Sequence, residues 1–584
     1  MYDFTPEQNT FLSSSGKVVL HACPGSGKTT VVAQKLINYV KSWDRPHQGV
    51  AVLSFTNVAS QEITRQAQEI LPQGYDIGTP HFIGTLDSFI DNFIFLRFGY
   101  LLLSSPKRPL IANSNIVSEY NWYWRKECYN KGCVSNIDQF KWIDTNTLTK
   151  NGNAITCGGS GRHQAPCIEF KKILREKGLF FQGEIAGLTC ILLKEYPEVA
   201  KAIASRFPIV ILDEAQDTSS EQMEILDLLS NAGIESLYLV GDPDQSIYEW
   251  REATPECFLK KMNDKNWTHL SLSKNFRSSQ LICNATYVFS NILKDKTANE
   301  AKGKNAACTQ KPVVLLYDQG IDKNLLLSKF KELCSVNSIV FSPQNVAVVT
   351  RSKIHSETNI KELWKTPETE FLARASFEWM YGNRQKAFEF CERALFQLTI
   401  KNLNEVEVSI FEEISKIFSY DIWKNMIIDV LVALPSTNLP CGDWIAPAQK
   451  TISEILSTYK LSLVNGLKVT DAIKIKKSDK NNPNFHRIPV KNFFEKKETT
   501  DFTHSSVHGV KGETYDALML VVEYTEGVTL TPSFLSKGDT NRELMRIAYV
   551  AMTRPRKLLV VAMPNSNANL DARFPKEKWK YISV

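Results

Sequence analysis

Long hydrophobic runs are missing from these 584 residues. No apolar stretch approaches the roughly 18 residues that a membrane-crossing helix needs. The longest runs, such as Ala517–Val522, are strand-length. The N-terminus, Met1-Tyr2-Asp3-Phe4-Thr5-Pro6-Glu7-Gln8, lacks the basic and apolar regions of a secretory signal. The expectation is a cytoplasmic protein with no membrane partner. Fixed-period repeats and low-complexity tracts are absent too, which excludes solenoid and collagen-like architectures. A strong excess of one charge is also lacking. Lys+Arg total 69 against 63 Asp+Glu, a net charge of +6. That allows a nucleic-acid partner without demanding one, because a local groove matters more than the sum. None of the twelve cysteines forms a Cys-x-x-Cys pair. Scattered over a long chain, they are expected to be reduced and mostly buried.

The remaining composition, 43% hydrophobic and 23% charged, is that of ordinary globular protein. The length predicts about three to five domains. Val18-Val19-Leu20, Ala51–Phe55, Pro208–Leu212 and Ser236–Val240 are short apolar strands between helical stretches. That alternation predicts a parallel α/β sheet. The stretch from about Leu96 to Arg206 breaks the rhythm and reads as an inserted subdomain. A second α/β rhythm starts near Trp267, continues through Val346–Thr350 and resumes at Ala517–Val522 and Leu558–Ala562. A mostly helical block, Glu368–Lys474, and a basic linker, Lys474–Lys497, interrupt it. The expected division is residues 1–95 plus 200–274 for the first core and 96–199 for its insertion. The second core takes 275–370 plus 498–584, and its insertion takes 371–497.

Ala22-Cys23-Pro24-Gly25-Ser26-Gly27-Lys28-Thr29 follows the first strand and opens a helix. In that context, loop N–H groups and a helix N-terminus wrap a triphosphate. Lys28 would neutralise the β/γ oxygens and the Thr29 hydroxyl would hold Mg²⁺. Ala22 stands where such loops usually begin with Gly. A chance Gly-rich turn is the bland alternative, and strand, loop, Lys-Thr and helix in register argue against it. The strand Ile209–Leu212 ends in Asp213-Glu214-Ala215-Gln216-Asp217. Asp213 would bind Mg²⁺ and Glu214 would activate the attacking water.

Further motifs follow in one order along the chain. They are Thr5-Pro6-Glu7-Gln8; Ser54-Phe55-Thr56-Asn57 with Ala59 and Glu62; and Gly84-Thr85-Leu86-Asp87-Ser88-Phe89. Gly241-Asp242-Pro243-Asp244-Gln245-Ser246-Ile247-Tyr248-Glu249-Trp250-Arg251 and Asn275-Phe276-Arg277-Ser278 come next. Val507-His508-Gly509-Val510-Lys511-Gly512-Glu513 and Glu543–Arg554 complete the set. With them the chain resembles the UvrD/Rep-like branch of superfamily 1 DNA helicases. Within that branch, the Lys511-Gly512-Glu513-Thr514 wording, the long first insertion and the short second one look most like helicases of bacterial anti-phage loci. They are similar to the Gabija helicase-subunit type, which pairs with an OLD-family, Toprim-type nuclease.

The resemblance implies two RecA-like parallel-sheet domains of the P-loop NTPase class, each with a mainly helical insertion, and ATP with Mg²⁺ between them. Lys28, Thr29, Asp213, Glu214 and Gln245 would come from the first core, and Arg277 and Arg554 would reach across as arginine fingers. Gln8 would read the adenine edge, Phe276 would stack on the base, and Thr30 and Glu513 would border the nucleotide. Thr30 stands where relatives often have Arg. Glu513-Thr514-Tyr515 replaces the usual Leu-Glu-Phe, which leaves the ribose contact of Glu513 open. Tyr248, Trp250 and Phe55 are expected base-stacking platforms, at ~1–3 kcal/mol per base. Asn57, Thr85 and His508 complete the expected nucleic-acid contacts. Core packing is the alternative for these aromatics, and a surface ion pair is the alternative for each arginine.

The implied activity is ATP-driven movement on single-stranded DNA or a single-strand/duplex junction, 3′→5′. The rival reading is a DNA-end-sensing ATPase that regulates a nuclease without unwinding; a non-hydrolysing scaffold is disfavoured by the complete catalytic set. Only 30 residues follow Arg554, so no C-terminal nuclease domain is expected. Three weaker constellations remain. Cys128, Cys133, Cys157, His163 and Cys167 invite a zinc or iron–sulfur reading, but ordinary reduced cysteines fit the spacing better. Tyr120–Lys126 interleaves aromatic and basic residues and reads as a packed helix before a DNA contact. Lys474, Lys476, Lys477, Lys480 and Arg487 read as a solvated loop before a DNA clamp.

Overall fold

A computed structural model describes residues 3–71, 77–103, 107–112, 139–142, 147–150, 153–154, 164–249, 253–293, 296–318, 321, 323–351, 364–401, 410–476, 485–494, 501–522, 530–566 and 569–584. The chain divides into two compact units. One comprises Met1–Leu102, Ile185–Ile354 and Thr500–Val584, the other Leu103–Glu184 and His355–Thr499.

The first unit is α/β and holds two six-stranded sheets. One is built from β1 (Lys17–Ala22), β2 (Val50–Ser54), β3 (Phe82–Thr85), β4 (Ile209–Leu212), β5 (Ser236–Gly241) and β6 (Thr268–Leu272), in the order β6-β1-β5-β4-β2-β3. Every pairing is parallel. The unbroken apolar run Ile209-Val210-Ile211-Leu212 suits a strand covered on both faces. Helices α1 (Pro6–Ser13) and α2 (Lys28–Lys41) contribute Phe11, Val31 and Leu36 to the core over Val18, Leu20, Val50 and Val52. Helix α3 (Asn57–Ile70) follows β2 and is capped by the Thr56 hydroxyl, which accepts from Ala59 N–H at 3.2 Å.

The other sheet contains β7 (Val313–Tyr317), β8 (Val346–Thr350), β9 (Thr503–Ser506), β10 (Tyr515–Val521), β11 (Pro555–Pro564) and β12 (Lys580–Ser583), ordered β9-β8-β10-β11-β7-β12. It is parallel throughout. Val313, Leu315, Val346 and Val348 enter one apolar cluster, while Val314, Ala347 and Val349 enter another. This is the two-residue alternation of a strand with a core on each side. The second of these clusters also takes in Ile247, Tyr248 and Ala253, which follow β5 of the first sheet. Helix α4 (Glu543–Met552) packs there through Met545, Ile547, Ala548 and Tyr549.

One sequence expectation is corrected. The strand after Trp267 does not open the second α/β rhythm. Val18 to Ala22 pair with Thr268 to Leu272, so this strand closes the edge of the first sheet. Its exposed outer positions reflect that edge placement.

The second unit contains the helical hairpin Pro367–Met380 and Arg384–Thr399, the helices Tyr420–Ala433 and Cys441–Thr458, and the helix Gln164–Glu176. It also holds a small antiparallel sheet, Phe140–Trp142, Leu148–Lys150 and Asn153–Ala154. Cys128, Cys133, Cys157, His163, Tyr120–Lys126, Lys477 and Lys480 lie outside the described residues, as does the side chain of Cys167. Among the described residues no helix is long and apolar enough to cross a membrane.

Within this unit Lys171 and Glu184 form a buried ion pair, Nζ to Oε2 at 2.5 Å, with side chains 1% and 2% exposed. Glu184 also accepts from Phe181 N–H at 2.9 Å, and the ammonium lies 4.2 Å from the Phe181 ring centroid. Removing one partner of such a pair strands a charge in the core. Lys171→Met alone should therefore cost about 3–5 kcal/mol. Lys171→Met with Glu184→Leu should recover most of that loss in urea unfolding.

Candidate nucleotide-binding site

The phosphate-loop sequence bridges β1 and α2. Gly25 and Gly27 take φ of +75° and +81°, the left-handed region that favours glycine. Gly27 is the N-cap of α2, so Lys28 and Thr29 open that helix. Asp213 and Glu214 emerge from the end of β4, and Asp242 to Gln245 from the end of β5. In a parallel sheet these carboxyl ends face one side, where ligands of α/β proteins collect.

The cleft they line has a volume of about 720 Å³. Gly25 to Thr30, Asp213, Glu214 and Gln245 border it from the first core, and Phe276, Arg277, Glu513, Arg554 and Arg556 from the second. Lys28 Nζ lies 3.3 Å from Glu214 Oε1. Burial works against the Lys28 ammonium, but Glu214, Asp242 and Asp213 outweigh it and hold its pKa above the ordinary lysine value. Burial, then the charge of Glu214, pushes the Asp213 carboxyl up to about 7. Burial also disfavours the Glu214 carboxylate, yet Lys28 and Lys511 prevail and lower its pKa to about 2. The pair is thus split into an ionised Glu214 and a buried Asp213 whose carboxyl is hydrogen-bonded by Thr29. A buried carboxylate beside a hydroxyl, at the end of a strand next to the phosphate loop, supplies the oxygen donors that a divalent cation takes.

The guanidiniums point the same way. Arg554 Nη2 donates to Gln245 Oε1 at 2.6 Å, and its Nε donates to Val550 O at 3.0 Å. Arg277 Nη1 donates to Thr553 O at 3.2 Å. Burial, then the charges of Arg554 and Arg556, draws Arg277 well below the ordinary arginine value. A buried guanidinium and a half-buried one, held by carbonyl and amide oxygens, suit an anionic ligand.

Gln245 is wired into the acidic motif. Its Nε2 donates to Asp242 Oδ2 at 2.6 Å, and Asp242 N–H donates to Gln216 Oε1 at 3.0 Å. Gln216 Nε2 in turn donates to Glu214 Oε2 at 2.5 Å. Gln8 sits at the loop, donating from Nε2 to Ser26 O at 3.1 Å. Phe276, 37% exposed, presents its ring to the cleft.

Of the expected nucleic-acid contacts, Phe55, Tyr248 and His508 come together. The Phe55 and Tyr248 rings are 4.9 Å apart at 33°, and Tyr248 and His508 are 5.7 Å apart. His508 Nε2 meets Ile247 O at 2.9 Å. Asn57 is exposed at the start of α3. Thr85 ends β3 in register with Ser54, the residue before Phe55, and its hydroxyl accepts from Ser88 N–H at 3.1 Å. Trp250 lies outside the described residues.

Several side chains wired to the site escaped the sequence reading. Lys511 Nζ donates to Asp217 Oδ2 at 2.5 Å and to Gln245 O at 2.8 Å, and sits 4.7 Å over the Tyr248 ring. Arg546 donates to Ser246 O at 2.6 Å and pairs with Glu249. Asp244 accepts from Ser290 Oγ, from Asn291 N–H at 3.0 Å and from Ile292 N–H at 3.1 Å. All three residues stood inside quoted motifs, but nothing in their identity named a partner more than 40 positions away.

Residues 4–116 and 139–266 match a family model described as the UvrD/REP helicase N-terminal domain. The Gabija protein GajB of Bacillus cereus (strain VD045) is 25% identical over 69% of this chain and 73% of its own length. A probable DNA helicase of Mycoplasma pneumoniae is 26% identical over 46% of this chain and 52% of its own. The ATP-dependent DNA helicase PcrA of Leuconostoc citreum is 24% identical over 60% of this chain and 47% of its own. The chain thus spans about half the length of the last two relatives.

The loop geometry predicts a graded response to added methyl groups. A Cβ on Gly25 would lie 2.7 Å from Arg277 Cβ and 2.7 Å from Asn275 Oδ1. Gly16, at φ +80°, has nothing within 4 Å of its added Cβ. Gly16→Ala should therefore cost only the backbone penalty of about 1–2 kcal/mol. Gly25→Ala should cost more in urea unfolding and should also weaken nucleotide binding, because it pushes Arg277 off the loop.

Proposed function

We propose that this chain, a member of the UvrD-like superfamily 1 helicase family, is an ATP-dependent DNA helicase or translocase that moves on single-stranded DNA. The observation that supports it best is the composite cleft. Lys28, Glu214 and Gln245 from one parallel-sheet core face Arg277 and Arg554 from the other across one cavity.

The chemistry follows from charge and position. Lys28 and the loop N–H groups bind the phosphates of ATP. Glu214, kept ionised by Lys28 and Lys511, accepts a proton from the attacking water. Thr29 and Asp213 hold Mg²⁺, which when bound neutralises charge on the β/γ oxygens. Arg277 and Arg554 stabilise the charge that spreads over the transferred phosphoryl group, an effect typically worth ~10³–10⁵ in rate. Phosphoryl contact at Gln245 reaches the second core through Arg554, because the two side chains are bonded to each other. Loss of the γ-phosphate loosens that joint, and the cores move relative to one another.

Phe55, Asn57, Thr85, Tyr248, Trp250 and His508 are assigned to the DNA strand, with the core and insertion boundaries given above. The family resemblance supports 3′→5′ movement. The similarity to a Gabija protein supports an anti-phage role, and the Gabija-type resemblance supports a nuclease of the OLD/Toprim type as partner.

Lys28→Ala should remove ATP turnover. Arg277→Ala and Arg554→Ala should lower kcat about 10³-fold or more in phosphate-release assays. On tailed duplexes, the wild-type protein should separate strands from a 3′ single-stranded tail. DNA-stimulated hydrolysis without separation on any tailed duplex would replace this reading with that of an end-sensing ATPase.

A further inference from the structure

The N-terminal helix α1 is braced at both ends, and its first turn lies against the phosphate loop through Gln8. At its C-terminal end Lys35 of α2, only 3% exposed, donates to Phe11 O at 3.1 Å, Leu12 O at 2.9 Å and Ser14 O at 2.6 Å. These carbonyls lie at and just beyond the helix end, where intrahelical N–H partners run out. At its N-terminal end the Thr5 hydroxyl accepts from Gln8 N–H at 3.2 Å, and Gln8 Oε1 accepts from Thr5 N–H at 2.9 Å. That capping box fixes the Gln8 amide beside the phosphate loop.

Glu7, one residue before Gln8, makes a different contact. Its Oε2 accepts from Ser273 N–H at 2.8 Å and its Oε1 accepts from the Ser273 hydroxyl at 2.5 Å. Ser273 follows β6 directly and begins the segment that crosses into the second core. That segment is held along its length. Cys23 Sγ lies 3.8 Å from Lys274 O, and Phe276 N–H donates to Gly25 O at 2.8 Å. Asn275 Oδ1 accepts from Arg277 N–H at 2.8 Å and Ser278 N–H at 2.9 Å. Three residues after Ser273 comes the exposed ring of Phe276. A two-oxygen carboxylate clamp on a backbone N–H and its own side-chain hydroxyl fixes where the segment leaves the sheet.

We infer that Glu7 is a positioning residue for nucleobase selectivity: by clamping Ser273 it sets the distance between the Gln8 amide and the Phe276 ring. On the ATP-site reading, with Gln8 assigned to the base edge and Phe276 to its face, the clamp tunes base affinity while the phosphates remain the task of Lys28 and the loop. This rests on the ATP-site reading above.

The test compares a ligand with a base and one without. Titration calorimetry of the full chain with Mg²⁺ and either ATPγS or inorganic tripolyphosphate separates the two contributions. Glu7→Ala should weaken ATPγS about 10-fold, the scale of a charged hydrogen bond, and leave tripolyphosphate within about 2-fold. Glu7→Gln, which keeps one acceptor oxygen, should fall between Glu7→Ala and wild type. Ser273→Ala, which removes only the hydroxyl donor, should give the same pattern more weakly and serves if Glu7→Ala does not fold. Equal weakening of both ligands, or no change in either, would overturn the inference. Lys28→Ala is the control for the site itself: if it binds both ligands as tightly as wild type, the ATP-site reading fails, whatever Glu7 does.

Discussion

The bond between Gln245 and Arg554 is the joint on which the architecture turns. It belongs to a longer seam. From Asp244 to Glu249, the segment after β5 is gripped residue by residue from the second core. Asp244 caps the backbone at 291 and 292, and Gln245 meets Arg554 through its side chain and Lys511 through its carbonyl. Ser246 O receives Arg546, Ile247 O meets His508, and Glu249 N–H donates to Glu543 at 2.9 Å. Ile247 and Tyr248 then sink into the second core's apolar cluster. A strand end that borders the cleft from one sheet is thereby packed as part of the other.

That seam explains why nucleotide chemistry and the aromatic group are not separate features. Lys511 touches Asp217, Gln245 and the face of Tyr248 at once. Tyr248 in turn lies against Phe55 and His508. Any change in charge at the acidic motif alters the field at Lys511, and through it the ring that the cation covers. Hydrogen bonds in a buried network polarise one another, so the coupling needs no long mechanical path.

The grouping of the candidate site's residues was legible in the sequence because its parts obey local rules. Lys28, Thr29, Asp213 and Glu214 each follow a short apolar strand, and a strand end dictates where the next side chains go. The apolar strands of both sheets were legible for the same reason. β9, Thr503-His504-Ser505-Ser506, was not, because a polar edge strand has no apolar signature. The strand after Trp267 was visible as a strand and fell inside the first core's expected bounds, 200–274, although its rhythm read as the start of the second; its neighbour β1 lies some 250 positions earlier. Asp244, Lys511, Arg546 and Glu7 share this limit. Their roles lie in partners that only the folded topology brings within 3 Å.

The parallel order of the first sheet also bears on how the chain is made. β1 lies between β5 and β6, so neither of its neighbours exists until more than 200 further residues have been added. At ribosomal speeds of about 5–20 residues per second, the Val-Val-Leu strand waits on the order of 10–40 s for its hydrogen-bonding partners. During that interval an apolar ribbon with two open edges is present in the nascent polypeptide. Biogenesis, rather than the finished molecule, is where this arrangement is most vulnerable, and chaperone demand should fall once Leu272 has cleared the ribosomal exit.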